Sequence, residues 1–360
     1  MISTALLAAL TLAGDFPGFQ PPPSGIGAEV LPLSVRSLGM GGVSTGIQDD
    51  RTLCFSNPAA SAWARLTGIT WAAALREGDD EARDGRMSFP SVSVVAPLPW
   101  GVVLSAGLAE RSSLLASERL TVTGYRAEYY WNGGLTEASA SVSVLGTDWL
   151  AFSLGGRGTF GSIRSSVSLE DTEPGPGSPV ATEFVDEALF RPSWGLTAGL
   201  FVKTGFLDLG ASFVTDRSGT LQMNRDFAGG EITDSESETY DVPGEINLGM
   251  GLHPTRWLTL AGDFHKRKSF TIPGGSVPEG SVASAGAEAL LGRRLALRAG
   301  YSSVSDLWRD GASIYSAGAG YTFGGGRAGL DLAVTREAAD DFTQTGFFVS
   351  LFACEDWTGQ

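Results

Sequence analysis

Residues that could carry out chemistry are few in this chain, and their spacing does not group them. The two histidines, His253 and His265, lie far in sequence from the two cysteines, Cys54 and Cys354, so no zinc-ligand pattern can be assembled. No nucleophile-elbow spacing indicates a hydrolase. We therefore expect no catalytic residues, no metal ion and no cofactor. The net charge of −15 argues against nucleic acid as a partner, because phosphate binding depends on clustered lysine and arginine.

A second set of charged residues has the spacing expected for side chains that line the inside of a barrel. These residues lie in runs where apolar and polar side chains alternate, so that the charge falls opposite the apolar face. We predict that this face points inward. The set comprises Arg157, Asp208, Asp263, His265, Glu288, Arg298 and Asp331. Two interpretations remain open: a functional polar interior that contacts another segment, or a mutually neutralising network that fills space.

The elements that must position these charges are β-strands, since alternation with period two continues from Leu66 to Phe352. Tight-turn compositions alternate with long polar connections along this region. We place Arg119–Tyr130 inside one such loop, as a strand extension above the membrane, because counting it as a separate barrel strand would give an odd total. Strict alternation of short and long connections then gives fourteen strands, near 66–76, 87–97, 100–111, 134–145, 148–165, 184–203, 206–217, 242–252, 256–268, 281–291, 293–304, 313–323, 327–337 and 342–353.

An even number of antiparallel strands, with short turns at one rim and long loops at the other, is typical of bacterial outer-membrane barrels. No run approaches the ~20 apolar residues of a membrane-spanning helix. Aromatic residues near predicted strand ends, such as Trp100, Trp149 and Trp257, fit an interfacial belt. A soluble sandwich or lipocalin-like barrel would need polar outward faces instead. We predict an all-β transmembrane barrel over 66–353 that contacts outer-membrane lipid and lipopolysaccharide, with acidic loops that are solvated rather than cation-binding.

The region before the barrel divides by composition. Residues 1–14 fit the apolar part of a signal peptide, and the proline-rich stretch 15–33 reads as a linker. Residues 34–65 are rich in small residues and turn formers, and they suit a hatch or plug at the mouth of the barrel. A dinucleotide-binding interpretation of the glycines in this segment fails, because the third glycine and the strand-to-helix context are missing. Residues 354–360 form a short tail.

The predicted hatch carries a motif that resembles the amino-terminal signature of FadL-type hydrophobic-compound transporters and the related PorV/PorQ proteins. The matching residues are Arg36, Gly39, Met40, Gly41, Gly42, Asp49, Asp50, Asn57, Pro58 and Ala59. In addition, the run from Gln344 to Phe352 resembles the carboxy-terminal signal read by the barrel assembly machinery. The resemblance implies a fourteen-stranded barrel with an amino-terminal hatch, and passive transport of small hydrophobic compounds across the outer membrane. The alternative it leaves open is a PorV-like platform that binds a secreted protein.

Two further expectations follow for the hatch. Cys54 lies in it and Cys354 follows the last strand, so both would sit at the oxidising periplasmic rim, and we predict a disulfide between them. The lining of the barrel interior should also distinguish passive transport from the platform role. An apolar pocket beside the hatch, or a lateral opening between strands, would favour transport, whereas an interior plugged by charged side chains would favour the platform.

Overall fold

In the computed structural model, alternating side chains give long strands joined by tight turns. The structure describes residues 28–29, 34–48, 54–78, 86–122, 125–171, 181–227, 230–272, 275–277, 279–292, 294–305, 311–339 and 343–355. Its strands are β1 (Ala28–Glu29), β2 (Thr67–Gly78), β3 (Arg86–Leu98), β4 (Val102–Val122), β5 (Tyr125–Thr147), β6 (Leu150–Asp171), β7 (Ala181–Lys203), β8 (Leu207–Val214), β9 (Arg217–Phe227), β10 (Gly230–Val242), β11 (Glu245–Thr255), β12 (Leu258–Arg267), β13 (Phe270–Ile272), β14 (Gly275–Val277), β15 (Gly280–Leu291), β16 (Leu295–Ser305), β17 (Ala312–Phe323), β18 (Ala328–Ala338) and β19 (Thr343–Glu355). Helix α1 (Val35–Gly39) and 3-10 helices at Pro58–Trp63, Pro99–Gly101 and Gly324–Gly326 complete the described elements. Within these ranges, no helix is long and apolar enough to cross a membrane.

Antiparallel pairing closes the strands into a ring, because the last strand β19 pairs with the first barrel strand β2, from Gln344↔Gly78 to Glu355↔Thr67. Strands β8 and β9 follow one another along β7, and they count as one barrel strand. Strands β10 and β11 continue each other in the same way. The small hairpin of β13 and β14 lies outside the ring. The ring therefore has fourteen strands and leaves no free edge around most of its circumference.

The outer face of the ring is apolar and the inner face is polar. In β8, Leu209 and Phe213 are exposed whereas Asp208 and Ser212 are buried, which reverses the order found in a soluble protein. Exposed aromatic residues gather at the short-turn rim, including Trp100, Trp149, Phe206 and Trp257. An apolar outer band with an aromatic girdle is the surface that a lipid bilayer requires.

Several predicted loops are in fact strand extensions, so the boundaries of the long connections were wrong. Strands β4 and β5 stay paired up to Val122↔Tyr125, so the strand extension expected for Arg119–Tyr130 is confirmed, and it forms a hairpin. Most of the predicted loop 218–241 is the pair β9 and β10, which includes the acidic run from Asp234 to Glu238. Polarity suggested loops, but a strand that continues beyond lipid can be wet on both faces and still complete its backbone ladder.

The ring is interrupted between β3 and β4. Their pairing ends at Ser91↔Ala109, although both strands continue toward the long-loop rim. Beyond this point β4 bulges at Arg111 against β5, and its edge at Ser112 and Ser113 pairs with the two residues of β1. A lateral gap between β3 and β4 follows, partly covered by β1. On the β3 side of the gap, Met87 is opposite Leu75 of β2, an exposed apolar residue. The gap therefore lies at the height of the apolar outer band.

Residues 34–48 and 54–66, hereafter the inner segment, lie against the inner wall in the short-turn half. The wall residues are glycines at the points where the backbone of a wall strand touches the backbone of the inner segment. A Cβ atom added at Gly210 would lie 1.8 Å from the carbonyl oxygen of Thr45, and one at Gly300 would lie 2.1 Å from the Gly41 nitrogen. Gly249 and Gly286 make equally close approaches. Only glycine permits this contact, so the wall and the inner segment are fitted to each other.

We predict that Gly300→Ala displaces the inner segment while the barrel still forms. The added methyl overlaps backbone atoms of Met40 and Gly41, and overpacking of this kind costs about 1–3 kcal/mol. Limited proteolysis should then cleave within 34–66 several times faster than in the parent protein, with unchanged heat-modifiable migration of the barrel on gels. Gly262→Ala is the matched control, because its Cβ would meet no atom closer than 3.4 Å. Equal cleavage of both variants would contradict the fit.

Candidate functional site

The inner segment is held to the wall by polar contacts at one level of the barrel. Asp263, five residues from the start of β12, accepts the backbone N–H groups of Ser44 and Thr45 at 2.6 Å and that of Gly46 at 3.2 Å. Three successive N–H groups around one carboxylate make a concave anion site from backbone alone. Asp263 therefore fixes the turn after α1 to the wall.

A second anchor is a chain of alternating charges beneath α1. Arg36 forms two hydrogen bonds with Glu288, at 3.0 and 2.8 Å, and donates a third to the carbonyl of Gln48 at 2.8 Å. Glu288 also accepts from Arg298 at 2.7 Å, and Arg298 donates to Asp331 at 2.7 Å. The two arginines and two carboxylates balance, so this chain joins the inner segment to three wall strands without excess charge.

The second half of the inner segment is anchored through its backbone. Asn57 caps the 3-10 helix by accepting the Ala59 N–H at 3.3 Å, and it donates to the carbonyl of Leu200 at 3.0 Å. Wall serines complete the set: Ser212 donates to the Ser56 carbonyl at 2.6 Å and Ser143 to the Pro58 carbonyl at 2.7 Å. The small inward serines of the alternating strands thus satisfy carbonyl groups that no ladder pairs.

Above the inner segment, five charged side chains cross the interior; we call them the five-charge cluster: Arg111, Glu137, Arg157, Arg217 and Glu245. Three of them, Glu137, Arg217 and Glu245, lie ten residues from the short-turn end of their strands or strand pairs. Arg157 bonds Glu245 at 3.2 Å and also the Phe55 carbonyl, and Arg111 bonds Glu245. Arg217 pairs with Glu137 at 3.2 Å. All five are buried, so the cluster blocks the interior at mid-height.

A packed apolar group lies beyond the five-charge cluster toward the long-loop rim; we call it the upper apolar cluster: Leu135, Ile163, Ala188, Phe190, Leu221 and Tyr240. The rings of Phe190 and Tyr240 meet edge to face, with centroids 5.1 Å apart. The Tyr240 hydroxyl donates to the Arg191 carbonyl at 2.9 Å, where the pairing of β7 with β8 and β9 is interrupted. The interior is therefore layered: inner segment, charge, then apolar side chains.

A small cavity remains between the inner segment and the wall. Its volume is about 40 Å³, and its lining includes Thr45, Phe55, Arg111, Glu245 and His265. This is room for about three water molecules and far below the ~150 Å³ of a cavity that holds benzene. The polar lining suits water, so in this conformation the cavity is not a seat for a hydrophobic molecule.

The structure brings most of the predicted site residues together. Arg36, Gly39, Gly41, Gly42, Asn57 and Pro58 lie in the inner segment, while Asp49 and Asp50 are outside the described residues. The predicted inward charges all point into the barrel: Arg157, Asp208, Asp263, His265, Glu288, Arg298 and Asp331. They divide by level, since Asp208 pairs with His253 near the rim at 3.0 Å and Arg157 joins the five-charge cluster.

Sequence reasoning missed four members of the five-charge cluster: Arg111, Glu137, Arg217 and Glu245. A signal was available for Glu137, which shares the inward face of β5 with Ser139 and Ser141. Arg217 and Glu245 lie beside strand interruptions, at 215–216 and 243–244, where alternation is hard to follow. Arg111 is the bulged residue itself, so its inward direction depends on a register change that alternation does not reveal.

The predicted disulfide is wrong, because both cysteines are free. Cys54 is buried beside Ala109, and its carbonyl accepts from Ser139, eight residues from the end of β5. Cys354 is opposite Gly68 at the rim. Counted from the short-turn ends of their strands, Ser139 and Cys354 differ in height by about seven residues. Along tilted strands this corresponds to roughly 18 Å. The inner segment rises into the barrel before it descends to β2, and this path separates the two thiols.

Comparisons with known proteins bear on the fold. No protein-family model and no curated protein matches the chain. Among solved structures, a FadL homologue of Pseudomonas aeruginosa is similar at 15% identity and a TM-score of 0.65, over 92% of this chain and 100% of that one. The fold is shared. The toluene transporter TbuX of Ralstonia pickettii has 13% identity and a TM-score of 0.64, over 92% and 99% of the two chains. The toluene transporter TodX of Pseudomonas putida has 18% identity and a TM-score of 0.63, over 91% and 99%.

These likenesses confirm the prediction of a closed, all-β, antiparallel barrel of fourteen strands. They extend across 92% of this chain in the first two cases.

We predict that Asp263→Ala loosens the inner segment. Three backbone N–H groups lose their acceptor, at a cost of about 1–3 kcal/mol, which raises the displaced population about 5- to 150-fold. Limited proteolysis should then cleave within 34–66 several times faster than in the parent protein. Asp208→Ala is the control, because Asp208 bonds His253 and the Thr204 N–H rather than the inner segment. Indistinguishable cleavage rates of the two variants would show that Asp263 is not an anchor.

Proposed function

We propose that this protein is an outer-membrane channel for passive movement of small hydrophobic molecules, with the inner segment acting as its hatch. The observation that carries the proposal is the lateral gap between β3 and β4 above Ser91↔Ala109. A closed ladder would seal the barrel from lipid, whereas a gap at the level of the apolar belt lets a hydrophobic molecule move between interior and membrane without crossing water. The fold shared with proteins described as toluene transporters supports this reading.

The hatch role follows from the kind of contacts that hold the inner segment. Asp263, Arg36 and Asn57 bind it through hydrogen bonds and ion pairs, and water can replace each of these contacts when the segment moves. The wall glycines give it a close seat, and apolar contacts such as that of Trp63 with Phe201 are few enough to be broken when it moves. Displacement of the segment would therefore open the periplasmic half while the strand ladder remains intact.

A platform for a secreted or surface protein is the second candidate. It is favoured by the five-charge cluster, which fills the interior at mid-height, and by strands β4 to β7, which continue well beyond the apolar belt. The lateral gap supports transport over the platform, since a platform has no need of an interruption in its wall. Co-purification of a secreted protein in stoichiometric amount, with no uptake of hydrophobic compounds, would favour the platform over transport.

The lateral gap gives a direct test of transport. Extension of the β3–β4 register by one residue places Pro90 opposite Glu110, short of the two residues that pair with β1, so Pro90→Cys with Glu110→Cys should narrow the gap where it begins when oxidised. We expect uptake of radiolabelled toluene, by Gram-negative cells that lack other such channels, to fall at least about fivefold on oxidation and to recover with a reductant.

The matched control places the same bond where the strands are already paired. Val94→Cys with Ala106→Cys joins two residues that are opposite each other below the gap. Uptake by this variant should not respond to oxidation. If the parent protein does not raise toluene uptake above that of cells without it, the transport proposal is wrong.

A further inference from the structure

Three cationic side chains project from the outer face of the barrel near the upper edge of its apolar band; we call them the outer patch: Lys266, Lys268 and Arg336. Lys266 of β12 and Arg336 of β18 lie eight residues from the short-turn ends of their strands, and Lys268 follows β12 directly after Arg267. All three are exposed. Eight residues of a tilted strand rise by roughly 20 Å, close to the ~25 Å height of the apolar band of an outer-membrane barrel. The outer patch therefore lies at the head-group level of the outer leaflet.

Two tyrosine rings adjoin the Arg336 side of the outer patch. The register places Tyr301 of β16 opposite Tyr315 of β17, and Tyr315 opposite Arg336. The ring centroids are 5.3 Å apart, and both side chains are exposed on the outer face. Among the residues that the structure describes, Arg336 makes no hydrogen bond or ion pair, so all its donors are available. An available guanidinium beside amphipathic rings suits a ligand with an anionic head and apolar chains.

Between the lysines and Arg336, the outer face carries small side chains. They are Ser281 and Ala283 of β15, Ser303 of β16 and Ser313 of β17, which follow one another along the strand register. Four steps between neighbouring strands separate β12 from β18, which is roughly 19 Å at the usual strand spacing. Long cationic side chains thus flank a shallow trough lined by hydroxyl and methyl groups. A head group that carries two separated anionic groups would span this trough.

Carboxylates beside the lysines decide which anion can compete for them. Glu279 lies 3.0 Å from Lys266, and Asp216 lies 2.9 Å from Lys268. All four side chains are between 46% and 66% exposed, and ion pairs this exposed contribute little to stability. A phosphate ester, with more negative charge and more acceptor oxygens than a carboxylate, can displace them, and arginine binds phosphate through two parallel hydrogen bonds. The anionic groups are therefore best matched by phosphates.

We propose that the outer patch binds the phosphorylated head of a lipopolysaccharide molecule in the outer leaflet. Arg336 contacts one phosphate, Lys266 and Lys268 contact another, and the sugars lie over the trough of small residues. The acyl chains descend along the apolar band past Tyr301 and Tyr315. This site is outside the wall, and it is independent of the transport proposal.

The test separates recognition of phosphate from general anchoring, because interfacial lysines and arginines also extend toward head groups without binding a particular lipid. The purified full chain in detergent is titrated with diphosphorylated lipid A and with the same lipid after removal of its phosphates, and binding is measured by native mass spectrometry. We expect the phosphorylated lipid to bind more tightly. The triple variant Lys266→Gln, Lys268→Gln and Arg336→Gln should weaken its binding at least about tenfold.

The matched control removes three exposed arginines from the short-turn rim of the same sector of the barrel: Arg256→Gln, Arg294→Gln and Arg327→Gln. It changes the net charge by the same amount as the triple variant, so any long-range attraction falls equally while the outer patch stays intact. Its affinity for diphosphorylated lipid A should remain within about twofold of the parent value.

Heat-modifiable migration confirms that each variant forms a barrel. If the triple variant does not fold, Arg336→Gln alone replaces it, with an expected loss of affinity of at least about threefold. Equal binding of the two lipids by the parent protein would overturn the inference. Equal affinities of the folded outer-patch variant and the rim control would also overturn it, and would leave these cations as general interfacial anchors.

Discussion

Completion of the backbone ladder in lipid is the constraint on which the whole structure depends. Hydrocarbon offers no partner to an N–H or C=O group, so the chain must return from β19 to β2 and close. Closure fixes the direction of every second side chain, and apolar residues such as Leu209 and Phe213 must then face outward. The polar side chains have nowhere to go but the interior. The charged interior is thus a consequence of ring closure and not an independent feature.

A ring of fourteen strands encloses more space than its own side chains fill. This chain fills the space in layers. In the short-turn half, the wall is reduced to glycine at Gly210 and Gly300 and a separate segment is seated there. At mid-height, long arginine and glutamate side chains span the interior. Beyond them, apolar side chains pack around Tyr240. Each layer uses side chains of the length that its part of the barrel requires.

Alternation alone predicted the strand number, the closure and the inward direction of residues such as Asp263 and Glu288, because these depend on period two and on lipid outside. It failed where the physical rule changes. Beyond the apolar belt both faces of a strand are wet, so β9 and β10 looked like a loop. At the Arg111 bulge the register shifts, and the direction of a side chain no longer follows from its neighbours. The path of Cys54 depends on the seat of the inner segment, which is a tertiary property without a local signal.

The contacts of the inner segment determine how the proposed hatch would move. Groups such as Asp263 and Glu288 hold it by hydrogen bonds that exchange for bonds to water at a small net cost. Apolar contacts oppose that exchange, because the ring of Trp63 packs edge to face against Phe201 of the wall. Displacement would therefore expose a limited apolar surface, whereas the pairing of β19 with β2 would keep all its bonds. The wall and the inner segment are held by different bonds, and a barrel built in this way can rearrange its interior without losing its fold.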